Sequence, residues 1–285
     1  MLFLGIALYF LGDLFYLMPI FVKKLDGSLE PYDEAKLCRS LEKAGASRQT
    51  IGAVLEKSKK ILFDGIETRR LFNFVLKEYR NLEPDSSPKY NLKAAIMHLG
   101  KEGYLFEKFV SKIFEKKGYF VELNREVEGQ FVSHEIDVSA GKGKEMVMVE
   151  CKYHRNPWLG CNIQTALYVY ARFLDVQRLF NKAMLVTNTK FSTQVVKYSK
   201  GVGLGLMGWQ CPGGDSLEFN IERFRLYPVT ILYQLPQRII DKCLENEIIL
   251  LSDMASFSAE ELSSLLGLSK GRAQEILQQA SFLLS

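Results

Sequence analysis

The chain reads as an α/β protein in three parts: a helical N-terminal region opened by a hairpin, a mixed sheet flanked by helices, and a small helical C-terminal domain. Three observations predict this. Residues 134–154, HEIDVSAGKGKEMVMVECKYH, alternate apolar and polar side chains on either side of a Gly-Lys-Gly-Lys turn, the period of a strand pair. Around them the order helix, hairpin, strand, helix, strand, helix, strand is that of a sheet covered on both faces. Towards both ends of the chain, apolar residues recur at helical spacing instead.

At 285 residues the chain is long enough for a well-buried core and two or three domains. A net charge of +4 is mild, so any nucleic-acid affinity must come from local patches rather than from the whole surface. The five cysteines are scattered, with no C-x-x-C pair, which fits a reducing cytoplasm.

Residues 1–17 are nearly all apolar, but Gly12-Asp13 interrupts them and Pro19 ends them, so an unbroken membrane span is not available. No basic residues precede the run and no small-residue cleavage site follows it, against a secretory signal. The expectation is that translation begins at Met18 and residues 1–17 are an upstream extension, a membrane anchor being the alternative. Phe21–Lys24 and Leu29–Tyr32 flank Asp26-Gly27, a hairpin signal. Asp33 caps a helix carrying Leu37 and Leu41 that ends at Ala44-Gly45, a second helix covers 47–62, and a third begins at Thr68.

Val22, Lys24, Asp26-Gly27, Glu30, Tyr32-Asp33, Lys36-Leu37 and the Thr68 helix together resemble the ATP-cone, a regulatory nucleotide-binding domain, over residues 19–100. The resemblance implies ATP or dATP as a regulatory ligand, held near Lys24, Asp26, Gly27 and Lys36, with the two lysines meeting triphosphate oxygens. Leu25 stands where the family usually has a basic residue, which weakens the implied phosphate site.

Residues 101–212 form the central domain. Gly103 opens a helix with Phe106, Phe109, Val110, Ile113 and Phe114 on one face, and Tyr119–Glu126 is the first strand. In the hairpin, Val147, Val149 and Cys151 share one face while Glu150 and Lys152 take the other. With 141–144 as a four-residue loop, Ala140 faces Glu145 and Asp137 pairs with Met148. Glu150 is then the diagonal same-face neighbour of Asp137, roughly 7–8 Å away at the backbone. Glu135, directly opposite Glu150 in that register, is a rival ligand. Two carboxylates so placed suit Mg²⁺, and an adjacent ammonium suits orienting the attacking water or offsetting charge on a phosphorane. His134 and His154 are lone histidines, structural or phosphate-facing, without zinc-like spacing.

Asp137 followed by Glu150-Cys151-Lys152 resembles the D…(D/E)-x-K signature of restriction-endonuclease-like nucleases, and HEID…VECKYH is closest to the Mrr-like type IV restriction endonucleases. The resemblance implies Asp137 and Glu150 as metal ligands, Lys152 as catalytic amine, and Glu107, after Phe106, as an accessory acid. It also implies that Gln164 and Tyr168, four apart on a helix over 162–180, lie beside the active site. Arg172, one turn on, is either a further phosphate contact or a partner of Asp175.

Ala183–Thr187 reads as a buried strand, Ser192 or Thr193 caps a helix ending at Gly201, and Leu204–Trp209 is a last strand. Cys211-Pro212-Gly213-Gly214 opens a link over 213–235. From Pro236 the chain is helical, with a capping box at Ser258–Glu261 and a Leu266-Gly267-Leu268 turn similar to helix-hairpin-helix modules, where Lys270 and Arg272 would assist phosphate contact. The whole reads as a cytoplasmic, Mg²⁺-dependent DNA endonuclease of restriction or defence, with DNA and nucleotide as partners and no stable membrane partner. A double-strand cut implies a homodimer or two encounters. The alternative is a nucleotide-sensing DNA-binding regulator whose nuclease fold does not cut.

Overall fold

The computed structural model describes residues 6–7, 18–24, 27–100, 103–232 and 234–285. Asp26 and Leu25 of the expected nucleotide site, and all of the hydrophobic leader except Ile6 and Ala7, lie outside the described residues. The chain divides into two compact units, 1–92 and 93–285.

In the first unit, β1 (Ile6–Ala7) pairs antiparallel with β2 (Met18–Pro19). β3 (Phe21–Lys23) and β4 (Leu29–Pro31) form the expected hairpin, in which Gly27 takes a φ of 84° and donates its N–H to the Lys24 carbonyl. Three helices follow: α1 (Glu34–Lys43), α2 (Arg48–Lys59) and α3 (Thr68–Leu82). Asp33 caps α1 by accepting from the Lys36 N–H, and Ser47 caps α2 in the same way through Thr50. A short strand absent from the sequence reading, β5 (Ile66–Glu67), runs parallel to β3. Two residues leave no periodicity to read. Val22, Leu41, Val54, Ile66, Val75 and Tyr79 fill the core, and Tyr90 closes the unit by stacking on Phe72.

The second unit begins within α4 (Leu92–Met97), followed by α5 (Tyr104–Lys116). β6 (Phe120–Glu128), β7 (Ser133–Lys142) and β8 (Glu145–Lys152) form an antiparallel meander. A two-residue strand β9 (Gly160–Cys161) leads into α6 (Ile163–Val176), then β10 (Lys182–Thr187) and β11 (Lys190–Phe191). Next come α7 (Thr193–Val202) and β12 (Gly205–Met207). The five-stranded sheet has the order β12-β10-β8-β7-β6, its β8, β10 and β12 parallel, so the expected mixed sheet is formed. A separate parallel pair, β9 with β11, was not foreseen. α5 packs on β6, β7 and β8, while α6 and α7 bury Met148, Ala166, Val169, Leu185 and Val195.

Two sequence expectations are corrected. The link over 213–235 contains α8 (Leu217–Phe224), capped by Ser216, with Leu217, Ile221, Val229 and Ile231 buried. The Pro-Gly-Gly punctuation marks a turn of only a few residues, and Ser216 restarts the helix. The hairpin register also differs by two: Lys142 pairs with Glu145 and Val138 with Val149, so the loop is Gly143-Lys144 alone. Gly143, at φ 59°, supplies the left-handed backbone that a two-residue turn requires at its first position.

The chain ends in α9 (Gln237–Glu245), α10 (Leu251–Met254), α11 (Ala259–Leu266) and α12 (Lys270–Leu284). The Ser258–Glu261 capping box is present, and Gly267 ends α11 at φ 68°. Lys270 and Arg272 are each paired with a carboxylate, Glu260 and Glu275. Among the described residues no helix is long and apolar enough to cross a membrane.

Candidate active site

The site lies where β6, β7 and β8 stop being a regular sheet. On β6 the register runs from Leu123 opposite Val138 to Arg125 opposite Ile136, and Asn124 between them takes a φ of 49°. Asparagine tolerates that conformation because its short amide finds local partners. Here the Asn124 Nδ2 donates to Glu107 Oε2 of α5 at 3.1 Å and to Glu135 Oε1 at 3.2 Å. Sequence reasoning missed Asn124, although an asparagine within a strand is unusual enough to have flagged it.

The β7–β8 ladder ends at Val138 opposite Val149, and Asp137 and Glu150 are the next residue on each strand beyond it. This corrects the diagonal relation expected from a longer loop. Glu135, expected opposite Glu150, pairs with Glu126 on β6, and the β7–β8 ladder does not reach it. Asp137 and Glu150 lie close enough that Asp137 raises the Glu150 carboxyl. Asp137 Oδ2 accepts the Cys151 N–H at 2.7 Å. Glu150 Oε2 accepts from Arg172 Nη1 at 2.5 Å, and Arg172 Nη2 donates to the Glu135 carbonyl.

Burial and mutual repulsion govern the electrostatics. Burial, then the neighbouring Asp137, push Glu150 up to about 7, while Arg172 and Lys152 pull the other way. Asp137 is raised by burial against the opposing Cys151 N–H and Arg172, and Glu107 is raised by burial, Asp137 and Glu135. The acids at 107, 135, 137 and 150 thus form one negative cluster, which Arg172 and Lys152 partly offset. Lys152 is exposed, close enough to favour the charged forms of Asp137 and Glu150.

Of the expected site residues, Asp137, Glu150, Lys152 and Glu107 are therefore electrostatically coupled. Gln164 is exposed and stands two turns before Arg172 on the same face of α6. Tyr168 lies between them, its ring 5.5 Å from the Arg172 guanidinium. Arg172 does not pair with Asp175, which instead accepts from His134 at 2.8 Å and from the Phe131 and Val132 N–H groups. His134 thus pins the β6–β7 loop. His154 sits within 3.6 Å of the Cys161 sulfur, and its backbone N–H donates to Asn188.

Hard carboxylate oxygens at Asp137 and Glu150 fit a divalent cation such as Mg²⁺ in kind. Among the described residues, no cluster of three or more His, Cys, Asp or Glu is arranged to hold a metal ion by protein groups alone. A cation bound here by two protein carboxylates would complete its shell with water and phosphate, the usual habit of Mg²⁺. In the first unit, Lys24 and Lys36 converge on Glu30 at 2.6 and 2.9 Å and draw its carboxyl down to about 2.

Sequence and fold comparisons place the second unit among known proteins. Residues 100–208 match the sequence profile of the family Mrr_cat, described as "Restriction endonuclease", and residues 227–284 match "AF1548-like, C-terminal". The second unit thus carries a restriction-endonuclease-like domain followed by a helical C-terminal region. An uncharacterized protein of Archaeoglobus fulgidus is 36% identical over 172 residues, 60% of this chain and 97% of that protein. The chain belongs to the AF1548-like family. The crystal structure of AF1548, a protein of unknown function, superposes with a TM-score of 0.55 at 34% identity, covering 64% of this chain and 98% of that one. MspJI restriction endonuclease in complex with a 27-mer oligonucleotide gives a TM-score of 0.35 at 17% identity, covering 68% and 39%.

Proposed function

We propose that the protein is a Mg²⁺-dependent DNA endonuclease, cytoplasmic and acting in restriction or defence. The observation that carries this reading is the convergence of Asp137 and Glu150 on adjacent strands, with Lys152 beside them and Glu107 facing from α5. In this reading Asp137 and Glu150 hold the metal, which when bound polarises the scissile phosphate and acidifies a water. Lys152 orients that water and offsets charge gathering on the phosphorane. Glu107, linked through Asn124 to Glu135, steadies the acidic wall, and Gln164 lines the approach along α6. Phosphate contacts would dominate affinity, which should fall steeply with salt.

Plasmid nicking in Mg²⁺ tests the reading. Wild type should nick, and Asp137→Ala and Lys152→Ala should lose about 10²-fold or more, the scale of removing a transition-state charge partner. A second reading has its own observation: Arg172 already neutralises Glu150, as it would in a fold that binds DNA without cutting. Equal behaviour of all three proteins in the nicking assay would favour that regulator.

The first unit is read as an ATP-cone. Support comes from Lys24 and Lys36 meeting on one carboxylate beside the Gly27 turn, an arrangement a triphosphate could replace. Equilibrium dialysis with ATP and dATP, comparing wild type with Lys24→Ala and Lys36→Ala, should show loss of binding in both variants.

A further inference from the structure

Arg172 comes from α6, yet its guanidinium ends among groups of the β7–β8 hairpin. Its side chain is only 10% exposed, walled on one side by Tyr168, and its Nε is buried without a hydrogen-bond partner. A guanidinium recruited solely to hold a carboxylate would be expected to use its fork fully, and a buried idle donor is costly. That idle N–H leaves the group equipped for a further acceptor. Meanwhile the Glu150 carboxylate that Arg172 holds through Oε2 is the one a divalent cation would use. The two cations would share one carboxylate and repel each other in a half-buried site, where charge is poorly screened.

We infer that Arg172 is a positioning residue that exchanges partners: it neutralises Glu150 in the metal-free protein, gives up that carboxylate when a divalent cation seats, and turns its guanidinium to a DNA phosphate. The inference rests on the nuclease reading. Its consequence is that metal and DNA bind cooperatively. The cation takes Glu150 from Arg172, the phosphate takes Arg172 from Glu150, and each event lowers the cost of the other. The fork geometry of arginine suits both tenancies, since carboxylate and phosphate accept it alike.

Calorimetric titration of Ca²⁺ into the full chain, alone and with a short DNA duplex, tests this. Without DNA, Arg172→Ala should bind the cation roughly tenfold more tightly than wild type, a typical coupling strength. DNA should tighten cation binding in wild type, and by clearly less in the variant, where only the phosphate's own ligation of the cation remains. If Arg172 merely supports Glu150 from behind, the variant should bind the cation roughly 10–100-fold more weakly, and that result overturns the inference. Unchanged affinity overturns it too. Arg172→Met keeps the stem's packing under Tyr168 and carries the same test if the alanine variant loses its circular-dichroism spectrum. A wild type that takes up no cation sinks this inference and the nuclease reading together. A wild type that binds cation and nicks plasmid, with a variant of equal affinity, sinks the inference alone.

Discussion

Glu150 is the residue through which pH should enter the chemistry. Its carboxyl titrates at about 7, well above the ordinary value of 4.5, because burial and Asp137 disfavour the charged form. A folded-state pKa raised in this way gives stability that is complete below the ordinary value and is lost as pH rises through about 7. In chelator, the melting temperature should therefore fall between pH 5.5 and 8, and Glu150→Gln should flatten that slope. Mg²⁺ should raise the melting temperature at pH 8, by about 2.7 kcal/mol of stability at a hundredfold excess over its Kd, and do little at pH 5.5. Calorimetric melts across that range decide it. Asn124 makes a second prediction at this scale. Asn124→Val should cost about 1–3 kcal/mol in urea unfolding, because a β-branched residue is strained at φ 49°. Asn124→Gly keeps the backbone and removes only the amide bridge between Glu107 and Glu135. Among single residues, the candidate acids Asp137 and Glu150 were picked out from the hairpin sequence, and the structure brings them together. Arg172's bond to Glu150 was not, because it joins groups 22 residues apart through tertiary packing.

Between elements, the β6–β7 loop depends on a carboxylate from α6. Asp175 accepts from His134 and from the Phe131 and Val132 N–H groups, and its carbonyl accepts from Gln130. A Cβ on Gly129 would stand 2.1 Å from Asp175 Oδ2, so only glycine allows this approach. Asp175→Ala should cost about 1–3 kcal/mol for orphaned donors and sharply raise amide exchange at Phe131 and Val132, with exchange in β8 little changed. Uniform acceleration across the sheet would show that the contact is global rather than local. The hairpin beside this loop explains what sequence could and could not fix. Alternation gives the face a side chain takes only while the strand is regular, and Ile136 packs in the cluster of Met148, not of Val138. The register depends on turn length, and Gly-Lys-Gly-Lys accommodates either a two- or a four-residue loop until packing chooses. In the same way α8 was hidden behind Pro-Gly-Gly punctuation, because its buried side chains Leu217 and Ile221 are too few to show a helical period.

At the scale of the whole chain, the two units make separable claims. Residues 93–285 hold the sheet, the carboxylate cluster and the C-terminal helices, and both family matches fall between 100 and 284. The Archaeoglobus fulgidus relative is almost completely covered by 172 residues of this 285-residue chain. A chain of that reduced length is long enough to bury its own core. Residues 93–285 expressed alone should therefore unfold in one cooperative transition and keep Mg²⁺-dependent nicking. ATP, if it acts through Lys24 and Lys36, should alter nicking by the full chain and leave the fragment untouched. A fragment that folds but fails to nick would place an essential part of the catalytic apparatus in the first unit. An ATP response that survives in the fragment would instead remove the lysine pair on Glu30 from any regulatory role, since no triphosphate could then be acting through it.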